Sequence, residues 1–564
     1  MIYIFIYSII SSLYLITCGN ALIKNRTVSI SEICKIGIFG SVVLSFLSLF
    51  LNFFLPIDQN ISSIVFFVFL IFSTIYFFKK KTLKKTLIIS IISGAITTLI
   101  LILDNIYRPD AGLYHLPYTK IINENKIIFG IANIHFRFGH ISIVQYLNAI
   151  YNNNLFKDNG ILLPVASIFS LLIIYFMAEI YDELKKNKIY SLYIFLILAY
   201  IFYGYNRYSE FGNDALGHLL LIFISSIFIK NIKSKENKIT IKELILLSVF
   251  VFMNKPTLIG VFAIPLYYIF FFTKKNNFLN KTNIYAIIFL LLWLIKNIIT
   301  SGCLVYPIAR TCFSELSWYS NDEKFFINSK LQSLDNEAWT KGWPDQKDSN
   351  ITQQDYVKGF TWLPVWSSHH GLDILKKLSI FLIFLIIIDI LILKCLKKKK
   401  YKKEKLFSSE NKKLLYLIGV SFVGTLVWFL KFPVFRYGSS YIIIFFTSLN
   451  IFILRDYIRN IDLKEILKFF KLLIFFIIFT FILKNILRIY RNFDYQYYNY
   501  PWPKIYSDPT NSKIVTKPIY YNDLIFYYLA NQECHYNSAP CTNYIVNNVS
   551  FSVKNGYKFY EINK

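Results

Sequence analysis

Acidic side chains are scarce in this chain. Only 33 Asp and Glu stand against 61 Lys and Arg among 564 residues, and charged residues together reach only 17%. Soluble domains carry about 25% charge, so the composition argues against an ordinary water-soluble globule. No glycine-rich nucleotide-binding loop occurs, which removes the usual cradle for a soluble activated donor. The N-terminus, MIYIFIYSIISSLYLIT, has neither a charged n-region nor a small-residue cleavage site. It reads as a first membrane helix and not as a removable signal peptide. No internal repeat is visible.

What is present in abundance is apolar. Hydrophobic residues make up 55% and aromatics 19%, gathered in blocks such as IGIFGSVVLSFLSLFLNFFL, SIVFFVFLIFSTIYFF and LSIFLIFLIIIDILIL. Runs of roughly 17–25 apolar residues are long enough to cross a bilayer, and inside lipid a helix satisfies its own backbone. The chain therefore reads as all-α, a polytopic helical membrane protein. About 14 spans are expected, near 1–17, 36–55, 62–78, 86–103, 161–180, 189–203, 215–229, 243–253, 258–272, 283–299, 374–394, 412–430, 439–454 and 467–486. The eighth and ninth are short, as for a broken or re-entrant pair around NKPT at 254–257.

The net charge of +28 is placed largely in short loops: KKKTLKK at 79–85, KKNK at 185–188, KNIKSKENK at 230–238 and KKKKYKKEK at 397–405. Such loops mark the cytoplasmic face, beside anionic lipid. The charge is thus a topology signal, with membrane lipids as partners and no nucleic acid. Alternation then divides the chain into membrane helices at 1–103, 161–299 and 374–486. Outward segments follow at 104–160, 204–214, 300–373, 431–440 and 487–564, the last a small extracytoplasmic tail. All seven histidines fall in or beside outward segments. Cys303 and Cys312 share one of them and Cys534 and Cys541 another, while Cys18, Cys34 and Cys395 fall near the inner face. Two disulfides, Cys303–Cys312 and Cys534–Cys541, are expected where the exterior is oxidising.

The outward boundaries carry the chemistry. The segment 104–160 is amphipathic, and YHLPYTKIIN and IANIHFRFGHISIVQYLNAIY are expected to lie as surface helices with their aromatic and Ile side chains among lipid headgroups. Between and within them stand Asp110, Tyr114, His115, His135, Arg137 and His140. Asp110 follows Pro109 where a helix begins, so a helix cap competes with a functional role. Glu210 and Asp214 open a later helix, four residues apart and able to share a face. Arg436 lies between two apolar spans at the face where positive charge is depleted. It either snorkels or meets an anion, and its fork suits phosphate. Lys255, between two short apolar runs, faces a polar cavity or merely occupies a turn. Acids beside cations at a bilayer boundary suit a carboxylate that takes a proton from a nucleophile, and cations that stabilise a lipid phosphate as it leaves.

With an acid in the first large outward loop of a multi-span chain, the sequence resembles the GT-C class of glycosyltransferases, which use polyprenyl-phosphate-linked sugars. That class includes protein mannosyltransferases and lipid A aminoarabinose transferases. More narrowly, DAGLYHLP, GIANIHFRFGH, SGCLVYP, FRYGSSY and CHYNSAPC resemble a poorly characterised family of bacterial integral membrane proteins related to it. The resemblance implies a catalytic acid at Asp110, with Asp104 as the nearby alternative. It implies a second acid at Asp214, with Glu210 as rival, and donor-phosphate binding at Arg436 supported by Lys255. Some relatives hold a divalent cation, Mg or Mn, at the acids, where His115, His135 and His140 are further donors.

The expected function is therefore transfer of a sugar, with inversion, from a polyprenyl-phosphate donor to a glycan, lipid or protein acceptor. The active site would face the periplasm or exterior of a bacterial inner membrane. Tyr114, His115, His135 and Arg137 would shape the pocket, and the Trp- and Tyr-rich segment 300–373 suits sugar rings. A polysaccharide polymerase or ligase would depend on an outer arginine–histidine set instead. A transporter or flippase of lipid-linked or anionic solutes would depend on broken helices around NKPT.

Overall fold

In a computed structural model, the described residues are the whole chain except 23–28, 81, 105–109, 205–211, 231–237, 273–280, 324–326, 348–349, 395–408, 462, 494–500, 507–517, 522–523, 529–532, 538, 543–547 and 564. Each apolar block winds into a helix. In chain order these are α1 (Ile2–Gly19), α2 (Ile30–Asn52), α3 (Gln59–Lys80), α4 (Leu83–Leu101), α5 (Leu116–Glu124), α6 (Ile143–Ala149), α7 (Leu163–Glu183), α8 (Lys188–Gly204), α9 (Asp214–Lys230) and α10 (Lys238–Asn254). They continue with α11 (Ala263–Phe272), α12 (Lys281–Ser301), α13 (Ser329–Thr340), α14 (Gln353–Lys358), α15 (Leu363–Trp366), α16 (Leu372–Lys394), α17 (Ser409–Lys431), α18 (Phe435–Asn460) and α19 (Leu463–Asn492). Among the described residues, eight helical stretches are long and apolar enough to cross a membrane. The molecule is a helical membrane protein.

In lipid, helices associate through small residues and polar contacts more than through apolar burial, and α1, α2, α4 and α7 show both devices. Ser11 meets Ser167 at 2.7 Å, Ser12 meets Ser93 at 2.8 Å and Thr97 meets Ser170 at 2.8 Å, all buried. Gly19 and Gly40 let α1 and α2 touch backbone to backbone; a Cβ on either would collide with the carbonyl of Ile36 or Leu15.

At NKPT the chain does break. Proline has no N–H to continue a helix and drives its predecessor toward extended backbone. Accordingly α10 stops at Asn254, Lys255 is extended (φ −148°, ψ 97°), a 3-10 turn runs over Pro256–Phe262, and α11 resumes.

Two expectations need correction. The amphipathic segments of 104–160 do not spread their apolar faces on a membrane surface. All seven residues of α6 are buried, as are Leu116, Tyr118, Ile121 and Ile122 of α5. Their apolar faces close on the protein itself. The tail, read from sequence only as small and extracytoplasmic, departs from the all-α reading. It forms β1 (Pro518–Tyr521), β2 (Leu524–Tyr528), β3 (Cys541–Thr542), β4 (Val549–Lys554) and β5 (Tyr557–Ile562). Strand β2 pairs antiparallel with β1 and parallel with β3, while β4 and β5 form a separate antiparallel hairpin. That hairpin turns at Asn555-Gly556, both at positive φ (51° and 74°), as Asn-Gly two-residue turns require. It docks on the first outward segment: Phe129 N–H donates to Lys558 O and Tyr560 N–H to Phe129 O, both at 2.9 Å.

Both expected disulfides are formed, and Cys18 and Cys34 are free and buried; Cys395 lies outside the described residues. Each disulfide loop braces 104–160. Tyr306, between Cys303 and Cys312, packs on Gly139. His535, between Cys534 and Cys541, donates its backbone N–H to Gly112 O at 2.7 Å.

Candidate functional site

Asp110 precedes a π-helical turn, Ala111–His115, and already has helical backbone, so its carboxylate makes no cap hydrogen bond. The carboxylate points instead to two arginines. Arg137 Nη1 donates to Oδ1 at 2.9 Å and Arg436 Nη1 to Oδ2 at 3.0 Å. Arg137 arrives from the 3-10 turn Phe136–His140, whose start is capped by His135 Nδ1 accepting the Arg137 N–H at 3.2 Å. Arg436 stands in the first turn of α18, where His218 Nε2 lies 2.7 Å from its carbonyl and His218 Nδ1 lies 2.7 Å from Ser440 Oγ.

The network continues past Arg436. Its Nε lies 3.8 Å from Asp214 Oδ2, and Asp214 is ion-paired through its other oxygen to Lys255. Lys255 Nζ also donates to Arg436 O at 3.3 Å. The charges thus alternate along Arg137, Asp110, Arg436, Asp214 and Lys255. Three cations against two carboxylates leave one positive charge over. Exposure grades along the row, from 5% at the Lys255 side chain and 16% at Asp214 to 30% at Asp110 and 36% at Arg137. The inner pair is sealed, and the outer one is open. Aromatic faces hold the cations: Arg137 lies 5.0 Å from the Tyr114 ring, Lys255 4.3 Å from Tyr437, and Arg436 5.1 and 5.5 Å from Tyr437 and Trp339.

The electrostatics follow from this layout. Burial pushes the Asp110 carboxyl up, but the Arg436 and Arg137 guanidiniums outweigh it and hold the pKa below the ordinary carboxylate value. Burial lowers His115 to about 4, so its ring is neutral near pH 7, with Nδ1 2.8 Å from Gln145 Nε2. His140 is lowered to about 3, by burial and by Arg137.

A cavity of about 1280 Å³ opens over the row, lined by Asp110, Tyr114, His115, Arg137, Asp214, Lys255 and Arg436 among others. With His140, which also lines it, eight of the residues singled out from sequence therefore share one space. His135 does not line it; it caps its turn and stacks on Phe136. Asp104 is buried at the foot of the loop, 3.7 Å from Arg488 of α19, and is not on the cavity wall. Glu210 lies outside the described residues. Tyr437 and Trp339, which grip Arg436, were not singled out in the sequence. Adjacency to Arg436 in FRYG signals the first, and no local pattern signals the second.

The residues present do not fit a resident divalent metal. Among the described residues no three His, Cys, Asp or Glu side chains gather as ligands. Both oxygens of Asp110 face guanidiniums, and Asp214 is held by Lys255 and Arg436.

Residues 1–443 match the family described as a domain of unknown function (DUF8201), and the chain belongs to that family. No curated protein and no solved structure matches it significantly.

Proposed function

We propose that this protein is a membrane glycosyltransferase that moves a sugar from a polyprenyl-phosphate carrier to an acceptor at the outer face of a bacterial inner membrane. The observation that supports it most is Asp110 bridging two guanidiniums on the wall of a large cavity, within a row of five charged side chains that has one positive charge in surplus. Arg436 would bind the lipid phosphate with Arg137 nearby, and Lys255, sealed against Asp214, would support Arg436 from behind. In that event Arg436 exchanges Asp110 for phosphate. Asp110 loses one of the two attractions that depress its pKa and becomes the stronger base.

The step balances as an inverting substitution. The acceptor oxygen forms its bond to the anomeric carbon from the face opposite the phosphate. The bond from that carbon to the phosphate oxygen breaks, and polyprenyl phosphate leaves with the electron pair. The acceptor proton passes to Asp110. Asp214 and Lys255 would hold Arg436 in place, and Tyr114 and Arg137 would border the acceptor.

The test compares surface glycans by mass spectrometry in cells with the wild-type chain, with Asp110→Asn and without the protein. Loss of the same glycan in the last two supports transfer. Unchanged glycans with altered sidedness of the carrier lipid would instead support a second reading, a transporter of lipid-linked or anionic solutes. That reading draws on the break at Lys255, since broken helices are where transporters bind solutes. Dependence on Arg436 and the cavity histidines but not on Asp110 would favour a polymerase or ligase.

A further inference from the structure

The wall of the cavity facing the ion row is built by α13. Gln332, Asp335, Asn336, Trp339 and Thr340 of that helix, with Trp343 in the 3-10 turn beyond it, all line the space. Positions 332, 336, 339 and 343 fall at the spacing that places side chains on one helical face. The opposite face is fixed. Ala338 and Lys341 are buried, Tyr356 Oη donates to Lys341 O at 2.9 Å, and Glu337 binds Lys341 at 2.7 Å and Lys431 of α17 at 3.2 Å. Asn328 caps the first turn, accepting N–H groups of Lys330 and Leu331 at 3.0 and 3.1 Å. The exposed side is therefore a rigid platform, the kind of support a binding surface needs.

We infer that this face of α13 binds the pyranose rings of a glycan. The inference rests on the transferase reading for its place beside the phosphate grip, and it adds the surface that would recognise the sugar. A pyranose has a flat C–H face and a rim of hydroxyls. Trp339 is 45% exposed and Trp343 is partly so, and an indole presents a broad apolar face to such a ring. Gln332, Asp335 and Asn336 supply amide and carboxylate groups whose side chains have no hydrogen-bond partner among the described residues. Other occupants suit the wall less well. A lipid tail would strip water from those amides without replacing its hydrogen bonds, and a second anion would meet the Asp335 carboxylate. Trp339 is not a lipid anchor either, because its ring lies 5.5 Å from the Arg436 guanidinium. A sugar on a phosphate held by Arg436 would thus lie against Trp339, with the next ring toward Trp343. The site so described discriminates by hydroxyl pattern, since an absent hydroxyl leaves a wall group unpaired.

The experiment uses the purified full chain in lipid nanodiscs and saturation-transfer NMR with methyl pyranosides of glucose, galactose, mannose, rhamnose and N-acetylglucosamine. At least one is expected to bind, and Trp343→Ala and Asn336→Ala are each expected to weaken it roughly tenfold. Asp335→Asn, which preserves shape on an exposed position, guards against a folding artefact and should also weaken binding. Lys554→Ala, at an exposed ion pair outside the cavity lining, should leave it unchanged. Binding by none of the pyranosides, or binding that survives all three wall substitutions, overturns the inference. Sugar binding that behaves as expected while Asp110→Asn leaves surface glycans intact would refute the transferase and retain the wall.

Discussion

At the end of the bundle where α7 and α9 stop, Glu179 is 2% exposed and both its oxygens are taken. Lys230 reaches them at 2.8 and 2.9 Å, and Tyr190 donates to one at 2.9 Å. Nearby, Lys35 at the start of α2 binds Glu32 at 3.1 Å and Glu243 at 3.2 Å. At the opposite end, where α9 and α18 start, Asp110 is likewise bound twice, yet it and its two arginines remain about a third exposed and border a cavity. Both ends spend scarce acids on cations. The difference is access. Glu179 is shut off from solvent although Lys230 is 33% exposed, so its bonds exchange only by local opening, whereas the cavity row can trade Asp110 for an incoming anion. Buried pairs resist the loss of one member because the other is left uncompensated; pairs facing a cavity have water or ligand as a substitute.

That contrast is broken most sharply by paired substitutions. Asp110→Asn is expected to lower glycan product by roughly 10²-fold or more, with only the small fall in thermal midpoint that losing two partly exposed ion pairs brings. Glu179→Ala should do the reverse, costing about 3–5 kcal/mol of stability while product per folded molecule is maintained. Heat unfolding followed by circular dichroism, beside glycan mass spectrometry, reads both; equal losses at both sites would erase the distinction. Arg436→Lys keeps the charge but loses the fork. It should weaken binding of undecaprenyl phosphate about tenfold, measured by native mass spectrometry, whereas Lys230→Arg should leave it unaltered.

Smaller effects test how the open end is braced. Replacing Cys534 and Cys541 by Ser removes the loop that holds Gly112. It should cost about 2–3 kcal/mol on chain-entropy grounds, seen as a lower midpoint under oxidising conditions only. Acid should loosen the same region. His115 and His535 are lowered from 6.5 to about 4, each first by burial. Below pH 6.5 the unfolded chain takes up protons that the fold refuses, so stability falls as pH drops toward 4. Depression of Asp110 adds a further loss below that window, where its ion pairs protonate. Hydrogen exchange at 110–145 as a function of pH checks this, and a flat profile would contradict it. Least of all, Lys554→Ala should change stability by under about 1 kcal/mol, because its bond to Glu561 is exposed.

Much of the site was legible because alternation of spans forces it. Residues 110, 214, 255 and 436 each follow an even number of crossings in the expected topology, so they had to share an end. The helix break at Pro256 was equally local. The hairpin of the tail was legible but passed over: VSFSVK-NG-YKFYEI alternates about the turn dipeptide that most favours a hairpin. The surface-helix expectation failed for a different reason. An amphipathic pattern states that one face is apolar and is silent on whether lipid or protein covers it, and in α5 and α6 protein does.

By itself, then, the sequence determined the medium, the helices and the two local disulfides, because each depends on periodicity or spacing within short stretches. Only the tertiary structure decided that Asp110 leaves its helix uncapped to bridge Arg137 and Arg436, that Asp104 and His135 stay off the cavity wall, and that α13 faces the ion row. Those outcomes join residues hundreds of positions apart. Distance along the chain carries no information about which carboxylate oxygen meets which guanidinium; that is fixed by how the helices cross and what space their side chains leave.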